Sequence, residues 1–125
     1  MPDDPLQGRR LLVVEDDYLL ASGLQEALEV HGARVIGPYP DVAGALAAIG
    51  DGAGAIDAAL LDVNLGDETS FALADALRER GIPMLFLTGY DDSALPPAYL
   101  DIRRCRKPVS LGELVDELSV HVLRG

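Results

Sequence analysis

Short apolar runs alternate with segments of helical period along almost the whole chain, and this alternation restricts the possible folds more than any other feature. Leu11, Leu12, Val13 and Val14 form a continuous apolar run, the pattern of a strand covered on both faces of a parallel sheet. Leu20, Leu24, Ala27 and Leu28 then recur at helical spacing, with Gly32 as the stop. Residues 33–37 give a short second strand, closed by Pro38, Tyr39 and Pro40 because proline cannot continue a ladder in mid-sheet. Asp41 can cap a second helix whose stripe is Val42, Ala45, Leu46 and Ile49, before a glycine-rich loop over 50–55. Ala58 to Leu61 make a third apolar run ending at Asp62, and Phe71 to Arg80 read as a helix stopped by Gly81. Ile82 to Leu87 is the most hydrophobic stretch and therefore predicts a central strand. Pro96 and Pro97 limit any fourth helix to about two turns over 91–95. A basic fifth strand at 101–106 is followed by a final helix, with Ser110 and Glu113 at capping-box spacing and a stripe of Leu111, Leu114, Val115, Leu118 and Val122.

Strand and helix alternating through short loops predict an α/β doubly wound sheet of five parallel strands with helices on both faces, the fourth helix short or irregular. The 125 residues leave room for one core, and 49% hydrophobic content fills it. The expectation is a domain over 9–124 after a disordered start at 1–8, with no output module attached. Ten basic residues against 21 acidic ones give a net charge of −11, a field that repels nucleic-acid phosphates and anionic lipid headgroups, so neither is expected as a partner. One cysteine, no membrane span and no signal peptide point to a cytoplasmic location.

In open α/β sheets, ligands gather at the carboxyl ends of the strands. Glu15 and Asp16 end the first strand, Asp62 the third and Thr88 the fourth, while Lys107 follows the fifth. Two carboxylates about 5 Å apart repel by roughly 3 kcal/mol at an effective dielectric near 20, so three together call for a cation. Oxygen donors without His or Cys select a hard ion, and Mg²⁺ takes carboxylates, waters and a phosphate oxygen. Lys107 and Thr88 complement a phosphoryl group, and an aspartate beside them can accept one covalently.

The strings LLVVEDD (11–17), LLDVNL (60–65), LFLTGY (85–90) and RKP (106–108) resemble the receiver domain of two-component response regulators, over residues 9–124. The resemblance implies the flavodoxin-like, CheY-like strand order 2-1-3-4-5. It also implies Asp62 as phosphoacceptor, Glu15, Asp16, Asp62 and the backbone carbonyl of Asn64 as Mg²⁺ ligands, Thr88 as the switch hydroxyl that bonds the phosphoryl group, and Lys107, before a cis bond to Pro108, as the phosphoryl group's ion-pair partner. Pro83, Phe86, Thr88, Gly89 and Tyr90 further resemble the "FAT GUY" subgroup, with Leu87 in place of its Ala. Members are often stand-alone receivers served by kinases of the HWE or related families. The implied partners are thus a sensor histidine kinase, of HWE type by this likeness, or a phosphotransfer protein, with an unidentified downstream protein as target. The chain is then not an enzyme on external metabolites, and it works as a monomer or a phosphorylation-dependent dimer.

Three positions depart from the receiver pattern. Gly66 and Ser70 stand where Pro and Gly are common, which predicts a more mobile loop after Asp62. Arg104 replaces the aromatic residue whose rotamer usually reports phosphorylation, so Tyr90, or ordering of segment 91–100, becomes a candidate for that role. Asp17 reads as a helix cap, and His31 and His121, at helix ends, as surface or C-terminal charges. Arg103, Arg104, Arg106 and Lys107 serve equally well as edge-strand protection or as a docking site for an acidic partner. Two rival functions stand behind the receiver: a phosphorylation-independent pseudo-receiver, which Arg104 favours, and a haloacid-dehalogenase-type phosphatase. The phosphatase motif needs a second Asp where Asn64 stands.

Overall fold

The computed structural model describes residues 4–50, 56–89 and 95–123. The elements follow the alternation: β1 (Arg10–Val14), α1 (Tyr18–Val30), β2 (Arg34–Tyr39), α2 (Val42–Gly50), β3 (Ala58–Asp62), β4 (Asn64–Leu65), β5 (Glu68–Thr69), α3 (Phe71–Glu79), β6 (Met84–Thr88), β7 (Arg103–Arg106) and α4 (Leu111–Asp116). The main sheet is parallel, in the order β2-β1-β3-β6-β7, with β4 and β5 pairing separately as an antiparallel hairpin. With the hairpin set aside, this is the expected order 2-1-3-4-5.

Successive strand residues point to opposite faces, which sorts the apolar runs into two cores. Leu12, Val14, Leu61 and Phe86 face α2 and α3 through Val42, Ala45, Leu73 and Leu77. Leu11, Val13, Leu60, Leu85 and Leu87 face α1, α4 and the helical turn that follows α4, through Leu24, Leu28, Leu114 and Leu118. Each fully buried Leu of these strands contributes about 2 kcal/mol relative to exposure, which is why Leu11–Val14, Ala58–Leu61 and Met84–Leu87 are apolar throughout. Helix boundaries follow the expected chemistry. Asp17 accepts from the Leu20 N–H, Asp41 from that of Gly44 and Ser110 from that of Glu113. Gly32 and Gly81 end α1 and α3 at φ +86° and +67°.

The structure corrects several expectations. Within the start expected to be disordered, of which 1–3 lie outside the described residues, Asp4–Gly8 forms a turn against the domain: Leu6 is fully buried in the α1/α4 core, the Gly8 N–H donates to the Gly32 carbonyl, and Asp4 Oδ2 lies 2.6 Å from His31 Nδ1. One apolar side chain in a polar stretch was enough to anchor it. β2 does not stop before Pro38 but runs to Tyr39, tolerating proline because it is an edge strand with its register to β1 shifted between Leu12 and Val14. In α2 the buried side chains are Val42, Ala45, Ala48 and Ile49, while Leu46 is turned toward solvent. β7 is shorter than expected and begins at Arg103. The final helix widens after Asp116 into a π-helical turn over Glu117–Val122, closed by the Leu123 N–H on the Leu118 carbonyl at 2.7 Å. Of the weak fourth helical segment, 91–94 lie outside the described residues; the next turn, Pro97–Tyr99, is 3₁₀.

Candidate functional site

Parallel pairing brings the predicted residues to one sheet edge. Val14 of β1 lies opposite Leu61 of β3, Asp62 opposite Leu87 of β6, and Thr88 opposite Arg106 of β7. Glu15, Asp62 and Thr88 are therefore adjacent, and all three are buried. Asp16 follows Glu15 but is exposed. The Lys107 N–H donates to the Thr88 carbonyl at 2.8 Å, which fixes the lysine backbone at the end of β6, and the Lys107–Pro108 bond is cis.

From there Lys107 Nζ reaches 2.6 Å from Asp62 Oδ2 and 3.1 Å from Glu15 Oε1. The other Glu15 oxygen accepts from the Asp17 N–H at 3.0 Å, and Asp62 Oδ1 from the Asn64 N–H at 3.3 Å. Burial raises the Glu15 pKa to about 7, with Asp62 adding to the rise and the Asp17 N–H and Lys107 opposing it. For Lys107, burial pulls the ammonium down, but Asp62 and Glu15 outweigh it and hold its pKa above the usual value.

One oxygen from each of Glu15, Asp16 and Asp62 lies within 4.8 Å of the others. Three carboxylates converging on so small a volume, with no imidazole or thiol among them, suit a hard divalent cation, and the donor set fits Mg²⁺. A cavity of about 330 Å³, lined by Glu15, Asp16, Tyr18, Gln25, Pro38 and Pro40, opens on the exposed Asp16 side of the cluster.

Not every candidate joins this cluster. Arg104, in β7, donates to the carbonyls of Ile102 (3.0 Å) and Leu100 (3.4 Å) and so braces the preceding turn. Tyr90 lies outside the described residues. Arg103 pairs with Glu117 on the edge of the sheet, at 2.8 Å. Two features escaped the sequence reading. The loop after Asp62, expected to be mobile, is closed into the β4–β5 hairpin, and its Gly66 N–H donates to Asp16 Oδ2 at 2.8 Å. Tyr99 stacks on Phe71 (centroids 4.6 Å apart, planes 10° apart) and donates to Asp75 at 2.9 Å. A glycine in the two-residue loop Gly66–Asp67 between Leu65 and Glu68 was the available signal for the hairpin.

The response regulator receiver domain family model matches residues 11–119, most of the chain. The chain belongs to this family. Among solved structures, this receiver domain is 39% identical to SdrG from Sphingomonas melonis Fr1, with a TM-score of 0.75 over 90% of this chain and 94% of that one. A response regulator from Burkholderia pseudomallei, solved with a phosphorylated aspartic acid, a calcium ion and citrate, shares the fold at 23% identity and a TM-score of 0.74, covering 90% of this chain and 67% of that one. The uncharacterized transcriptional regulatory protein YbdJ of Bacillus subtilis is 33% identical over 89 residues, which are 70% of this receiver domain but 38% of that protein. The chain thus spans about two-fifths of that curated relative. Receiver domains of two-component systems are signalling domains phosphorylated on an aspartate, bind Mg²⁺ at an acidic pocket, and work with histidine kinases or phosphotransfer proteins. Among the described residues, no helix is long and apolar enough to cross a membrane.

Proposed function

We propose that this receiver accepts a phosphoryl group on Asp62 from a histidine kinase or phosphotransfer protein and passes the signal on by protein–protein contact. The observation that carries this is the Lys107 ammonium held 2.6 Å from a buried Asp62 beside two further acids. An Asp62 oxygen attacks the phosphorus of the donor's phosphohistidine; the new P–O bond forms as the P–N bond breaks, and the released imidazole nitrogen takes a proton from solvent. Glu15, Asp16, Asp62 and the Asn64 carbonyl would hold Mg²⁺, which when bound offsets the charge of the phosphoryl oxygens. Lys107 turns from carboxylate to phosphoryl oxygen, and the Thr88 hydroxyl, at the end of the neighbouring strand, donates to another.

The stretch around Thr88, in the pattern of the "FAT GUY" subgroup, supports a kinase of HWE type as donor, working in the cytoplasm. The same likeness of Pro83, Phe86, Thr88, Gly89 and Tyr90 to that subgroup, whose members are often stand-alone, supports action as a stand-alone receiver. Autocatalytic gain and loss of the phosphoryl group completes the cycle, so no external metabolite is turned over. Asn64 in place of a second Asp speaks against the phosphatase, and the full set of Glu15, Asp16, Asp62, Thr88 and Lys107 against the pseudo-receiver. With Arg104 engaged on backbone carbonyls, Thr88, Tyr90 and the segment leading to Tyr99 are the remaining candidates for the switch. The test is transfer from an autophosphorylated HWE-type kinase: label moves to the wild-type chain in Mg²⁺ and not to Asp62→Asn. Label retained by that variant would refute the assignment.

A further inference from the structure

Asp16 is the exposed member of the acidic cluster, and a free aspartate there would sample several rotamers, most of them pointing away from Glu15 and Asp62. It is held instead by a backbone group fifty residues away, the Gly66 N–H, at 2.8 Å from Oδ2. Gly66 reaches that place because the β4–β5 hairpin folds back, Asn64 pairing with Thr69 and Leu65 with Glu68, and because its φ of +66° suits glycine. The far end of the hairpin is also anchored, with Glu68 Oε2 accepting from the Val42 N–H at the start of α2, at 3.3 Å. Proline, common in receivers at the position of Gly66, has no N–H to donate and cannot adopt a positive φ.

We infer that the Gly66 backbone N–H is a positioning group for the cation site, fixing the Asp16 carboxylate in its ligating place before the ion arrives. This rests on the reading of Glu15, Asp16 and Asp62 as ligands. A hydrogen bond to a charged carboxylate is stronger than a neutral one, and it removes rotamer freedom that ion binding would otherwise have to suppress. A cation then meets three placed carboxylates in place of two fixed ones and one wandering one. Two properties are required at residue 66, a donor and tolerance of a left-handed backbone. Asparagine meets both, and there is room for its Cβ, whose nearest neighbour would be Asp16 Oδ2 at 4.0 Å.

The test uses the full chain, ¹⁵N-labelled, with amide spectra and hydrogen exchange first in EDTA and then across a Mg²⁺ titration. In EDTA the Gly66 amide of the wild type exchanges slowly, and Asp16→Ala moves its resonance and speeds exchange by about tenfold. Mg²⁺ then binds Gly66→Asn within about threefold of wild type and Gly66→Pro about tenfold more weakly, consistent with one lost charge-assisted hydrogen bond. A Gly66 amide indifferent to Asp16→Ala, or a Gly66→Pro chain that binds Mg²⁺ as tightly as Gly66→Asn, overturns the inference. A wild type whose spectrum ignores Mg²⁺ refutes the cation site itself, while the EDTA comparison still decides whether Gly66 holds Asp16.

Discussion

Lys107 Nζ lies 2.6 Å from Asp62 Oδ2, an ion pair at the meeting point of the ends of β3 and β7. The same ammonium is 3.1 Å from Glu15 Oε1, so one cation stands between two buried acids and offsets their repulsion. Removing it leaves both without their cation. Lys107→Met is expected to destabilise the chain by about 1–3 kcal/mol in EDTA, less than a fully buried pair would cost because the lysine side chain is 27% exposed. Urea unfolding checks this, and adding Mg²⁺ should restore part of the loss. Unchanged stability in EDTA would show that the pair is incidental.

Glu15 gives the pH dependence. Its pKa is raised, chiefly by burial, from 4.5 to about 7, so the folded state holds a proton that the unfolded chain releases earlier. Its contribution is most favourable below pH 4.5 and is lost as pH rises toward 7. In EDTA, wild type should therefore lose stability relative to Glu15→Gln between about pH 4.5 and pH 7, with the difference constant above that. Unfolding curves at several pH values measure it; parallel profiles for the two proteins would count against the buried acid.

The N-terminal turn is part of the core. Leu6 is fully buried against the α1/α4 layer, and Leu6→Ala should cost about 2–3 kcal/mol, at the low end for a buried Leu because a terminal turn can collapse on the cavity. Thermal or urea unfolding decides it. A loss under half a kilocalorie, by the same scale, would return residues 4–8 to the role of a loose leader.

Tyr99 ties the 3₁₀ turn to α3 by stacking on Phe71, with Phe86 of β6 6.4 Å away. Tyr99→Leu keeps the bulk but loses the stack and the bond to Asp75, for an expected cost of about 1–2 kcal/mol. Amide shifts should move in both the Phe71 turn and residues 95–102. Shifts confined to the mutated residue would mean the stack holds nothing.

What the sequence revealed depended on how local the signal was. The two cores were legible because strand and helix periods are written in consecutive residues such as Leu11–Val14 and Met84–Leu87. The acid cluster was legible because parallel strands bring Glu15, Asp62 and Thr88 to one edge whatever the loops do. Leu6 was missed because one apolar residue among prolines and aspartates has no period to betray it. The Gly66–Asp16 contact was missed for another reason: a backbone donor has no sequence identity, and its partner lies fifty positions away. Tyr99 likewise finds Phe71 only through the tertiary fold. Pro38 misled in the other direction, since the rule against proline in a ladder weakens at an edge strand such as β2.

The central claim is that Asp62 is the phosphoacceptor, and intact-mass spectrometry after incubation with Mg²⁺ and acetyl phosphate tests it most directly. The wild type should gain one phosphoryl group, EDTA should abolish the gain, and Asp62→Asn should show none. A wild type that gains no mass, or an Asp62→Asn chain that gains it equally, would contradict the claim.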